Sequence, residues 1–215
     1  MKKNLFSILL TLFFLVNLQA HAQIWEEYSS FHQGVGLQLG SSGIGIQGSY
    51  PLSEAFGIRA GANWMPSPTW NVRNKVFKVK RSNVEVMLDW QPLLGGESWW
   101  ARKWIVSAGA GYFFDNKFIR YVGHTKVPDP VVDYEVEYSK FRPYIGTGLN
   151  NIRLAYHLNL GIQVGYFIPT KKVEIIPDAR DPGDLEYLHS KVTKFPYNVV
   201  PGLQGQVGIS YIFFK

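Results

Sequence analysis

The chain has 215 residues, no cysteine, 15% aromatic residues, 21 Gly and a formal charge of +6 at pH 7. The lack of cysteine excludes disulfide staples, thiolate metal ligands and thiol catalysis, and so mild a charge gives no ground for a nucleic-acid partner. Past residue 22 no apolar run reaches the roughly 20 residues that a spanning helix needs, so a chain this rich in Trp, Tyr, Phe and Gly reads as strands.

At the N-terminus, Lys2 and Lys3, the apolar run Leu5 to Val16 and the small-residue site Ala20-His21-Ala22 form an export signal over residues 1–22, cleaved near Ala22. A transmembrane anchor is the competing reading, but the run is short and no stop-transfer pattern follows. Residues 23–30 are then an N-terminal periplasmic segment and 31–215 a single domain.

Eight segments alternate apolar residues with small or polar ones, the pattern of a strand with two unlike faces. The first, Phe31 to Gly40, sets Phe31, Val35, Leu37 and Leu39 against His32, Gly34, Gly36, Gln38 and Gly40. Ser41-Ser42-Gly43 turns it into the second, Ile44 to Pro51, and the third is Phe56 to Met65, with Arg59 on its polar side. The fourth, Asn83 to Gln91, alternates Val84, Val86, Leu88 and Trp90 with Glu85, Met87 and Asp89. The fifth is Lys103 to Phe113 and the sixth Phe141 to Leu149, where Pro143 must lie near the start or at a bulge. Asn150-Asn151 is expected to turn the chain into the seventh, Leu154 to Ile168, and the eighth is Leu203 to Phe214.

Connections after segments two, four and six are short, while those after three, five and seven are long: 66–82, 114–140 and 169–202. Short turns on one side and long loops on the other is how an outer-membrane barrel arranges its periplasmic and extracellular ends. Glycine gathers on the face opposite the apolar one, as does every charge within the segments, including Arg59, Glu85, Asp89, Lys103 and Arg142. A soluble barrel would turn that glycine-lined, charged face to water, whereas the lumen of an eight-stranded barrel needs small residues for want of room. Aromatic residues gather near both strand ends: Trp64, Tyr112, Tyr166 and Phe167 on the long-loop side, and Tyr50, Trp90, Trp99, Trp100, Trp104, Tyr211 and Phe213 on the other. These would be interfacial girdles.

The ending Gln206-Val207-Gly208-Ile209-Ser210-Tyr211-Ile212-Phe213 resembles the C-terminal assembly signature of small Gram-negative outer-membrane β-barrels, the eight-stranded OmpA/OmpX-like group: Gln206, then Gly208, then Tyr211 and Phe213 on the lipid-facing side. The chain departs from it by continuing to Lys215. The resemblance implies an all-β, antiparallel, up-and-down transmembrane barrel of eight strands, monomeric, in the outer membrane among lipids that include lipopolysaccharide. It also implies a BAM-type machinery as a transient assembly partner.

Eight strands leave no porin-sized pore, so Arg59, Glu85, Asp89 and Arg142 are expected to form an interior ion-pair network rather than an ion path. Arg73, Lys75, Lys78, Lys80 and Arg81 follow the third segment; they are either a clamp on lipopolysaccharide phosphates or a solvated hairpin extending the barrel strands. Asp178, Asp181, Asp184 and Glu186 lack EF-hand spacing, and Asp181-Pro182 reads instead as the start of a short helix to Lys191. No nucleophile and base stand at a recognisable catalytic spacing, and no metal or cofactor is implied. The leading function is a structural or loop-displaying interaction role; a lipid A-modifying enzyme and a narrow channel or carrier are the alternatives.

Overall fold

The structure, a computed structural model, describes residues 31–67, 69–72, 75–122, 134–177 and 200–213. The expected signal over 1–22, the expected periplasmic segment 23–30, Arg73, the acidic cluster and the helix expected over 181–191 lie outside the described residues. The strands are β1 (Gly34–Gly40), β2 (Gly43–Pro51), β3 (Phe56–Trp64), β4 (Thr69–Val72), β5 (Lys75–Trp90), β6 (Trp104–Val122), β7 (Tyr134–Glu137), β8 (Phe141–Ala155), β9 (Leu158–Phe167), β10 (Glu174–Pro177) and β11 (Leu203–Ile212).

Eight of them close a ring in the order β1-β2-β3-β5-β6-β8-β9-β11, and β11 returns to β1 with Leu37 opposite Ile209. Every pairing is antiparallel. The barrel is the eight-stranded, all-β fold that the alternation implies, and closure leaves its wall without a free edge. Where β1 turns into β2, Gly43 has φ +101°, a left-handed conformation that a side chain would strain.

Alternation puts the apolar residues outside. Leu37 is 66% exposed and Val164 57%, while Gln38 is 2% exposed and Asp89 3%. Val86 and Ile209 are likewise outward and exposed. An apolar surface running right round the molecule is untenable in water and is what a hydrocarbon environment requires. Trp64, Tyr112, Phe114 and Phe141 are exposed at the long-loop end of this belt, and Tyr50, Trp90, Tyr156 and Tyr211 at the short-turn end. Phe56 stacks on Trp90 at 6.4 Å.

Two expectations need correction. Asn150-Asn151 is not the hairpin turn: β8 continues to Ala155 with a broken register between Leu149 and Ile152, and the chain turns at Tyr156-His157. Asn151, with φ 56°, uses asparagine's tolerance of the left-handed region to make an irregularity inside the strand instead. Phe31 and Phe167, assigned to the outer face and its girdle, are buried, Phe31 lying over the Cα of Gly57. The hairpin given as one of two readings of the loop after the third segment is present, and β6 likewise continues as strand to Val122. β5 and β6 run on past the barrel wall as a hairpin flanked by β4 on one side and by β7 and β10 on the other. A bulge at Phe114, where Ser82 faces Asp115 but Asn83 faces Phe113, marks the level at which this upper sheet leaves the barrel.

Candidate functional site

Among the described residues, polar and charged side chains shielded from water are concentrated in the lumen, so it is the place to look for function. Its middle is crossed by a ladder of amides from four strands. Gln204 Nε2 donates to Gln206 Oε1 (2.7 Å), Gln206 Nε2 to Gln38 Oε1, and Gln38 Nε2 to both Asn63 Oδ1 and Glu85 Oε1, the latter at 3.3 Å. Asn83 Nδ2 closes on the second Glu85 oxygen at 3.2 Å. Gly61 and Gly208 lie beneath Gln38 and Gln47, so the glycine-rich face makes room for the amides.

Toward the short-turn end, Arg59 and Asp89 are paired, with Nε 3.2 Å from Oδ2 and Nη2 donating to Oδ1 at 3.3 Å; Ser107 Oγ adds a bond to the same Oδ1 at 2.6 Å. Beside this pair is a cavity of about 40 Å³ walled by His32, Gln47, Arg59, Asp89, Asn159 and Gln163, room for a few waters and nothing larger. At that end His32 is pushed down to about 4 by burial, with Lys103 and Arg153 adding to the effect. His157 stacks on Tyr211 at 5.1 Å, its Nδ1 3.1 Å from the Ile212 carbonyl.

Toward the long-loop end the lumen is filled by Met87, Phe113, Tyr144 and Phe167. Phe167 meets Phe113 edge-on at 5.1 Å and Tyr144 at 4.9 Å. Gly146 and Gly165 lie against the Tyr144 ring and Gly111 against Phe167, so the aromatic cluster occupies a ring of glycines. Over it lies Arg81, its guanidinium 4.9 Å from the Phe113 centroid and 6.0 Å from that of Phe167. Arg142, fully buried, donates from Nη1 to the Pro201 carbonyl at 3.0 Å and so ties the short 3-10 turn Val200–Gly202 to the mouth. Among the described residues, Arg81 Nε and Nη2 and Arg142 Nε have no hydrogen-bond partner.

The four interior charges thus do not form one network. Arg59 and Asp89 meet because their strands place them diagonally, Arg59 opposite Met87 and Asp89 opposite Gly57. Glu85 lies higher, opposite Gly61, and is held by amides; Arg142 is opposite Gly111 at the outer mouth. The basic row does not form one surface either. Neighbours in a strand point to opposite faces, so Arg81 falls inside the lumen, 7% exposed, and cannot belong to an external phosphate clamp. Lys78 and Lys80 are half-buried on the hairpin that extends the barrel, and Lys75 pairs with Val122 at its tip. In the last strand Gln206 and Gly208 face the lumen, Tyr211 is exposed on the outer face, and Phe213 packs on Tyr211 at 5.5 Å. The amide ladder and the aromatic cluster were both missed in the sequence.

No protein-family model matches the chain, and no curated protein matches it in sequence. Among solved structures it is similar to CarO of Acinetobacter baumannii, at 19% identity and a TM-score of 0.58, covering 84% of this chain and 97% of that one. CarO2 of the same organism matches at 18% identity and a TM-score of 0.62, covering 85% and 98%. At such identities the likeness shows the fold.

Proposed function

We propose that the protein resides in a Gram-negative outer membrane as a closed, non-catalytic barrel whose role is to carry the upper sheet at the cell surface, for membrane integrity or partner docking. One observation carries this reading: the lumen is packed at two levels, by the amide ladder and by Met87, Phe113, Tyr144 and Phe167, and the cavity beside the paired Arg59 and Asp89 holds about 40 Å³. The apolar belt, the girdles at both ends and the similarity to CarO support the location.

A narrow passage for small anions is the second reading. It is favoured by Arg81 and Arg142, two buried guanidiniums at the outer mouth with donors to spare. Planar-bilayer recordings decide between the two. The closed reading expects no steady conductance from the native protein and its appearance in Tyr144→Ala/Phe167→Ala; discrete openings in the native protein would refute it. Heat-modifiable migration on gels checks membrane-barrel behaviour, and unchanged lipid A masses in cells with and without the protein are expected if it has no lipid-modifying activity.

A further inference from the structure

At the long-loop end the outside of the barrel carries a groove of about 460 Å³ between the turn joining β7 to β8 and the connection joining β9 to β10. Its lower wall is Tyr112 and Phe141, opposite one another on β6 and β8, 46% and 53% exposed at the top of the apolar belt. Its upper wall includes Lys140, Lys171 and Lys172, all exposed.

The two chain segments that bring these lysines together are bonded to each other. Thr170 Oγ1 donates to the Phe141 carbonyl at 2.6 Å, the Thr170 amide to Ser139 Oγ at 3.3 Å, and the Ile168 amide to the Pro143 carbonyl at 2.7 Å. From inside, the Phe113 amide holds the Lys140 carbonyl at 2.8 Å. Two carboxylates also line the groove. Glu137 is drawn off by Lys117, 3.6 Å away, whose ammonium is held above its usual range by its bond to Glu135. Glu174 remains, so cationic charge is in excess.

We propose that this groove binds a phosphorylated lipid of the outer leaflet, its acyl chain against Tyr112 and Phe141 and its phosphate among Lys140, Lys171 and Lys172. An aromatic floor at the level where hydrocarbon ends, with ammonium groups directly above it, complements a lipid in the order in which its own parts occur. The assignment rests on the membrane location argued above. It also differs from the clamp expected on the row Arg73 to Arg81, which the β5 alternation divides between faces.

The test uses the full mature chain, refolded in neutral detergent and first shown to migrate heat-modifiably, so that loss of binding is distinct from failure of the barrel. Native mass spectrometry then measures retention of a diphosphorylated lipid A against phosphatidylcholine. The native protein should retain one lipid A preferentially, and Lys140→Gln/Lys171→Gln/Lys172→Gln should weaken retention by roughly tenfold or more, in a salt-dependent manner. Lys75→Gln/Lys78→Gln/Lys80→Gln, with the same change of charge, should retain it as the native protein does. Equal loss in both variants, no loss in the first, or full displacement by millimolar inorganic phosphate would overturn the proposal.

Discussion

Breaking the buried pair between Arg59 and Asp89 offers a stringent check on the description of the lumen. The side chains are 11% and 4% exposed, and Asp89 also accepts the Ser107 hydroxyl. Removing one member of such a pair costs about 3 to 5 kcal/mol, because the survivor is left charged and buried. Both groups line the small polar cavity, where an added water can take up part of the lost bonding, so each single variant belongs near the lower bound, about 3 kcal/mol. Arg59→Leu/Asp89→Leu removes both charges and leaves chiefly the Ser107 hydroxyl unpaired, a cost of about 1 to 2 kcal/mol. Urea unfolding from lipid vesicles, followed by the gel shift between folded and unfolded forms, should therefore find each single variant less stable than the double. If instead the single costs add to the double within about 0.5 kcal/mol, the two groups do not interact and the pairing is wrong.

Three further outcomes follow from the same structure. Gly111→Ala places a methyl group on the Phe167 ring and should destabilise the barrel by about 1 to 3 kcal/mol, with Phe167→Leu restoring most of it, whereas Gly205→Ala, facing open space, should be silent in the same unfolding assay. Leu88→Lys puts a charge on the exposed apolar belt and should cost about 2 to 4 kcal/mol in vesicle folding; a neutral result would mean that this face does not meet hydrocarbon. His32 is held neutral in the fold, from 6.5 down to about 4. Its contribution is therefore complete above pH 6.5 and declines between pH 6.5 and 4 as the unfolded chain takes up the proton, by at most about 1.4 kcal/mol per pH unit. His32→Gln should flatten stability over that window, and an unchanged slope would contradict the burial.

The barrel was legible because closing a sheet in lipid imposes one rule on every strand, and Val84-Glu85-Val86-Met87-Leu88-Asp89 displays that rule openly. The lumen was less so. Alternation says which face a residue is on but not what it meets, and Arg142 lies on the same face as Asp89 yet at the opposite end of the barrel. Large aromatics were read as lipid-facing, which misplaced Phe31 and Phe167 and overlooked Phe113 and Tyr144. The available signal was the level of the glycines. Gly109, Gly111, Gly146 and Gly165 stand together on adjoining strands, and so much empty volume at one height of a narrow barrel has to be filled by large side chains from the same height.

The same reasoning explains why two of the long connections are sheet. A spanning strand needs about 9 to 11 residues, whereas β5 has 16 and β6 has 19. The surplus cannot lie in the wall, since β3 ends at Trp64 opposite Ser82 and β8 begins at Phe141 opposite Tyr112. Beyond those points β5 and β6 keep each other as partners and need new ones on their outer edges, which β4 and β7 supply. Lys80 lies directly across from Lys117, a repulsive pairing made tolerable because Lys117 is held by Glu135 and Glu137 on β7. The flank of this sheet is thus fixed by Lys117, which lies outside the basic row that looked like a binding surface in the sequence. The groove above Tyr112 and Phe141 exists because β7 and the turn after it are anchored there, so a variant that frees β7, such as Lys117→Ala, should loosen the lysine cluster without touching the lumen.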